Sequence, residues 1–251
     1  MVEFDRNILK LISGSFVAQV IPLAAYPILT RLFSPEDFGS FATVMLFASL
    51  MAVIASGCYE HAILLTQSRL ESAELLLYVL VRSIKITIFF LIVIWLLSED
   101  LSVWLNNPSL HEQLLLAPVI AFAGVIFSCQ SEWLVKYKDY VILSTNRVLQ
   151  GLATVTFKVF MGINYMSSQA FLLGELFGRF FASLVAIAVL LAKDHRSFKK
   201  VSKTGMLQLK ARYSRFPKIM TSDQLLNIFG GSLHVLFIGP AFGAEQLGYV
   251  A

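Results

Sequence analysis

Long apolar stretches recur along the chain with short polar breaks between them, at a length that only membrane-crossing helices require. A spanning helix needs about 20 mostly apolar residues. Six such segments run from Ile8 to Leu32, Phe38 to Cys58, Leu75 to Leu97, Leu114 to Leu134, Val148 to Met166 and Ala170 to Ala192, and a seventh from Ile219 to Pro240. The expected fold is an all-α polytopic membrane protein. Its domains are a six-helix N-terminal lobe over 1–192, a basic linker over 193–218, and the first helix and turn of a second lobe over 219–251. The first apolar stretch is too long for the h-region of a signal peptide and has no convincing small-residue cleavage site after it, so it reads as a helix that stays.

The break between the first two helices, Ser34-Pro35-Glu36-Asp37, carries its own instructions. Ser34 suits an N-cap, Pro35 the first helical position, and Glu36 and Asp37 the positive end of the new helix dipole, which predicts a tight helical hairpin. A second such turn is expected near the C-terminal end. Phe33, Glu36, Gly39 and Ala42 match Phe242, Glu245, Gly248 and Ala251 at one constant offset. Either an internal duplication or the general recurrence of small residues and acidic caps in membrane hairpins produces that match. Under duplication, substrate sites lie between repeats, and the chain stops as its second unit begins, so one complete lobe by itself is not expected to transport.

Composition strengthens this picture. Apolar residues make up 57% and charged residues 14%, against about 25% charged in soluble domains, and mean hydropathy is +0.73. The net charge of +4 is modest, but the basic residues are placed on one side. Arg6 and Lys10, Arg69, then Lys136, Lys138 and Arg147, and nine Lys or Arg between Lys193 and Lys218 all fall in alternate links; the opposite links hold Arg31 alone. The positive-inside rule puts the N-terminus and these links in the cytoplasm. The stretch from Lys193 to Lys218 also fits anionic lipid, but its plainer role is a topology signal and linker, and no nucleic-acid partner is expected.

Charge inside the apolar segments is the strongest functional signal, since an ionised group at a helix centre costs at least about 2.5 kcal/mol unless sheltered. Lys158, about 15 Å into the fifth helix at 1.5 Å per residue, and Arg179 on the sixth are both expected near the midplane. Lys158 has no partner on its own helix and shares a face with Gly151, Thr154 and Gly162. Glu175 precedes Arg179 by four positions, the spacing of an ion pair on one helix face; it either holds the bundle together or takes part in binding. Gly174, Gly178, Ala182 and Ala186 form a small-residue stripe for close helix packing. Arg82 and Lys85 serve orientation or lumen charge. Asp223, with Asn227 and His234, is a candidate for a coupling ion on the seventh helix. Cys58 and Cys129 read as buried hydrophobes. The four histidines are dispersed, and no nucleophile elbow or phosphate loop appears, so neither enzyme activity, nor a metal, nor a cofactor is expected.

The run Arg6-Asn7-Ile8-Leu9, then Gly14-Ser15, then Pro27 to Gly39 (PILTRLFSPEDFG) resembles the opening of bacterial polysaccharide biosynthesis proteins of the O-antigen flippase (Wzx-like) type. Their superfamily also holds the MATE exporters and lipid II flippases. The end, Gly243 to Gly248, looks like the corresponding turn after helix seven. The resemblance implies twelve to fourteen helices in two lobes, an inner-membrane location, and transfer of an undecaprenyl-diphosphate-linked oligosaccharide, an O-antigen or other surface polysaccharide unit, to the periplasmic leaflet. The partners implied are that lipid-linked oligosaccharide, membrane lipids, and glycan polymerase and ligase machinery. Lys158 and Arg179 would attract the diphosphate, as would Arg31 if the family's cationic first helix carries over to it. The competing readings are a small-molecule exporter of the same fold, which predicts a carboxylate-rich lumen, and a non-transporting scaffold. A membrane glycan polymerase would need a large outer loop that the chain lacks.

Overall fold

The computed structural model describes the backbone of residues 2–165 and 167–250, and side chains for 16–165, 167–195 and 197–250. The side chains of Arg6, Lys10 and Arg196, the Gly14-Ser15 pair, and positions Met166 and Ala251 lie outside the described residues. Among the described residues there is helix and turn but no strand: the protein is an all-α polytopic membrane protein. Helices α1 (Val2–Leu32), α2 (Pro35–Ser56) and α3 (Arg69–Trp104) come first, with a 3-10 turn at Tyr59–Leu65 between the last two. A short α4 (Leu110–Gln113) leads through 3-10 residues into α5 (Ala117–Lys136), and α6 (Tyr140–Tyr165) and α7 (Ser168–Phe198) follow. Next come α8 (Lys203–Arg212), α9 (Arg215–Gly231), α10 (Leu233–Phe242) and α11 (Ala244–Gly248).

Among the described residues four helical segments are long and apolar enough to cross a membrane: Pro35–Ser56, Arg69–Trp104, Leu110–Lys136 and Ser168–His195. The described apolar part of α1, Phe16–Leu32, is shorter, and α6 is not among the four. Its composition explains this, because Asn146, Arg147, Gln150 and Lys158 interrupt the apolar run and are tolerable only on a protected face.

The hairpin between α1 and α2 forms as its residues dictate. Ser34 has extended φ/ψ and accepts from Asp37 N at 3.3 Å, while Asp37 Oδ2 accepts from Ser34 N at 2.8 Å, a reciprocal capping box. Ser168 Oγ donates to Asp37 Oδ1, so the start of α7 is tied to this turn. At its other end α2 stops at Gly57 (φ 60°), and Arg82 Nη1 reaches from α3 to donate to the carbonyls of Ile54, at 3.0 Å, and Ala55. Arg82 therefore neutralises the negative end of α2, a role its sequence position did not show.

Within the bundle, α5 packs against α2, α3 and α7, and α6 lies between α7 and α1. The small-residue stripe brings α6 and α7 together: a Cβ placed on Gly174 would lie 2.6 Å from Lys158 Cα, one on Gly178 would strike the backbone of Thr154, and Ala182 and Ala186 are fully buried.

The structure departs from the expected seventh helix. In place of one continuous helix from Ile219 to Pro240, α9 and α10 meet at Ser232 with a bend of 46°, the two being long and apolar enough to cross only together. Gly230 and Gly231 precede the break, and glycine weakens helix by losing the most backbone freedom on ordering. Beyond it, α11 crosses the start of α2. A Cβ on Gly39 would strike the carbonyl of Ala244, and a Cβ on Gly248 would strike that of Pro35. Gly39 and Gly248 are one pair of the internal sequence match, and each lies against the other's segment.

Candidate functional site

A cavity of about 570 Å³ lies between α1, α2, α5, α6 and α7. One face of α6 supplies Arg147, Gln150, Gly151, Thr154 and Lys158, residues three, four, seven and eleven positions after the first and therefore on one side of a helix. Arg147 and Lys158 stand about 16 Å apart along the helix at 1.5 Å per residue. From α7 come Phe171, Glu175 and Arg179, and α1 contributes Gln19 and Tyr26.

Lys158, Glu175 and Arg179 meet in one network. Lys158 Nζ lies 2.7 Å from Glu175 Oε2, and Arg179 Nε donates to Glu175 Oε1 at 2.5 Å, with Glu175 and Lys158 buried and Arg179 partly exposed to the cavity. Lys158, unpartnered on its own helix, thus finds its carboxylate on the next. One anion held between two cations leaves this network with a net positive charge, and among the described residues the other charged side chain on the cavity wall is Arg147. The Lys158 ammonium also lies 4.2 Å above the ring centre of Phe41 and 4.5 Å from that of Phe171. Phe171 in turn stacks on Phe33, with Phe38 and Phe41 beside it, and this aromatic group walls the cavity near the α1–α2 turn.

Helix boundaries shift the depth of this network. Because α6 starts at Tyr140 rather than Val148, Lys158 lies about 10 Å from the end of α6 and about 27 Å from its beginning, nearer the α1–α2 turn than the helix midpoint. Two other candidates stand apart. Arg31 is exposed in the last turn of α1 and does not line the cavity; a cation there is favoured by the helix C-terminal dipole and faces outward. Asp223 is exposed on α9 and is likewise absent from the cavity wall. Arg147 is the residue that topology counting misplaced, as a link cation; its eleven-residue spacing to Lys158 was the available signal.

A second group of titratable side chains sits away from the cavity, in the turn after α2. Glu60 is buried and accepts from Ser56 Oγ at 2.9 Å, and burial pushes its carboxyl up from the ordinary range. His61 Nδ1 lies 2.8 Å from Glu132 Oε1, and that hydrogen bond raises the imidazole pKa above 6.5. Cys58 and Cys129 are buried thiols, as expected. Among the described residues no three His, Cys, Asp or Glu side chains gather as a metal site would require.

No curated protein and no solved structure matches the chain. The profile of the family described as polysaccharide biosynthesis protein does match it, over residues 28–251. A membrane-spanning helical bundle with a cationic cavity is thus joined to a family match over most of its length, and the chain belongs to the polysaccharide biosynthesis protein family.

Proposed function

We propose that the protein is part of the translocation path of a flippase, which carries an undecaprenyl-diphosphate-linked oligosaccharide across the bacterial inner membrane by alternating access. The observation that carries this is the charge of the buried network: among the described residues two cations, Lys158 and Arg179, share the single carboxylate of Glu175 on the cavity wall. A diphosphate is multiply anionic and strongly hydrated, so it crosses hydrocarbon only where fixed cations replace its water. Tyr26, Phe38, Phe41, Phe127 and Phe171 on the same wall offer flat apolar faces to sugar rings.

The reciprocal contact of Gly39 and Gly248 supports a second unit related to the first and closing against it near the α1–α2 turn. The broken α9–α10 span is of the kind found at transporter binding sites. The exporter of cationic compounds is disfavoured, because such cargo calls for carboxylates where this cavity presents basic groups. Glycan polymerase and ligase machinery would act on the delivered product, and the protein itself performs no covalent chemistry in this reading.

The test measures lipid-linked oligosaccharide in inner membranes of cells lacking the full-length gene, with the gene restored in wild-type form or carrying Lys158→Ala or Arg179→Ala. Accumulation on the cytoplasmic leaflet that the wild type relieves and the variants do not, at equal protein abundance, is the expected result. Normal surface glycan in the variants would remove the site assignment, and no accumulation without the gene would remove the flippase.

A further inference from the structure

A second cavity, of about 730 Å³, opens between α3 and α8 on the opposite side of α3 from its buried face. Its two walls follow from helical spacing. On α3, Tyr78, Val81, Arg82, Lys85 and Ile86 fall at successive intervals of three, four, seven and eight; on α8, Lys203, Met206, Leu207 and Lys210 repeat three, four and seven. Each helix therefore turns one mixed basic and apolar face toward the same space.

The position of α8 is fixed by carboxylates of α3, and this consumes the negative charge nearby. Ser202 N and Oγ donate to Glu74 Oε1 at 3.2 and 3.0 Å, and Arg212 Nη1 lies 3.3 Å from Glu71 Oε1. Leu209 and Tyr213 bury the other face of α8 in a core with Leu75, Val79 and Trp133. Among the described residues no Asp or Glu lines the cavity. Among the described residues Lys85, Lys203 and Lys210 have no ion-pair partner. All three are exposed, as are Val81 and Leu207.

We propose that this cavity binds one anionic diacyl phospholipid of the cytoplasmic leaflet, its phosphate among Lys85, Lys203 and Lys210 and its acyl chains along Val81, Ile86 and Leu207. Three unpaired ammonium groups over an apolar floor match that ligand in both its parts, whereas a free phosphate would leave the apolar walls wet and a neutral lipid would leave the cations unanswered. The lipid braces α8 against α3 and so fixes the entry of the chain into α9. The leaflet assignment rests on the orientation expected from the positive-inside rule; the binding itself does not.

The experiment purifies the full-length protein in detergent containing phosphatidylethanolamine and phosphatidylglycerol at nine to one. It counts each lipid retained per protein by native mass spectrometry. Each adjacent cation is worth about fivefold in anionic-lipid attraction, so K85A/K203A/K210A is expected to retain at most about one-fifth of the wild-type phosphatidylglycerol, with thermal stability measured alongside. Lys85→Gln, which removes no packing, should lower retention by itself. The comparison variant K199A/K200A/K218A removes equal charge from linker positions outside the cavity wall and should retain phosphatidylglycerol as wild type does. Equal loss in both triple variants would mean diffuse surface attraction, and no loss in either would mean no site; both overturn the proposal. Displacement of phosphatidylglycerol by an equimolar polyprenyl diphosphate would overturn it in favour of cargo. Because the readout is binding, a failed transport assay leaves it standing, and the reverse holds as well.

Discussion

Replacing Glu175 with glutamine is the most informative perturbation of the cavity. The carboxylate holds Lys158 at 2.7 Å and Arg179 at 2.5 Å, and Glu175 and Lys158 are each less than a tenth exposed. An amide keeps the shape and one acceptor but removes the charge, leaving two cations facing each other with nothing between them. Removing one partner of a buried ion pair costs about 3–5 kcal/mol. At about 2–4 °C per kcal/mol for a chain of this size, Glu175→Gln should lower the unfolding midpoint by on the order of 10 °C. The added test is Lys158→Met in the Glu175→Gln background, which takes away one surplus cation while retaining an unbranched apolar stem. The double variant should recover at least half of the loss, a coupling of about 1–3 kcal/mol in the cycle. The assay is thermal unfolding in detergent, read by tryptophan fluorescence: Trp133 is buried in the α3–α5–α8 core and reports loss of the fold rather than of the cavity. A midpoint within about 2 °C of wild type for Glu175→Gln, or no recovery in the double variant, would refute the three-residue network as the source of stability.

Gly174→Val places a branched side chain against the Lys158 backbone, where even a Cβ comes within 2.6 Å; α6 must shift, and folded yield should drop with a stability loss of at least about 1–3 kcal/mol, checked by size-exclusion recovery. G230A/G231A meets no atoms within 4 Å and favours continuous helix by about 0.5–1 kcal/mol per site. It should preserve or raise the unfolding midpoint while lowering lipid-linked oligosaccharide transfer, and unchanged transfer would show the bend is dispensable. His61 is held above its ordinary pKa by its hydrogen bond to Glu132. The charged imidazole is therefore favoured by folding, and its contribution is complete below about pH 6.5 and lost as pH rises through the raised value. The stability difference between wild type and His61→Gln should shrink as pH rises above about 6.5 in denaturation titrations, and a difference that grows with pH would reverse the assignment.

The sequence by itself determined the membrane as solvent, the Ser34-to-Asp37 turn and the residues of the charged network. Each follows from local rules: spanning length, capping chemistry, and the cost of placing charge in hydrocarbon. It also placed Glu175 against Arg179, because both lie on one helix at a spacing that needs no tertiary information. The partner of Lys158 was decided only by the tertiary structure, since which face of α6 meets α7 depends on the approach that Gly174 and Gly178 permit. The same is true of Arg147, whose place in the cavity required the true start of α6, and helix ends are set by packing as much as by sequence. Asp223 was a charge on an apolar segment and Arg31 came from the resemblance to a cationic first helix; each criterion gives position along a helix but not direction around the bundle. The α3–α8 cavity was hidden for a related reason: its cations come from two segments separated by more than a hundred residues. Only the anchoring of α8 through Glu74 and Glu71 brings them to one place.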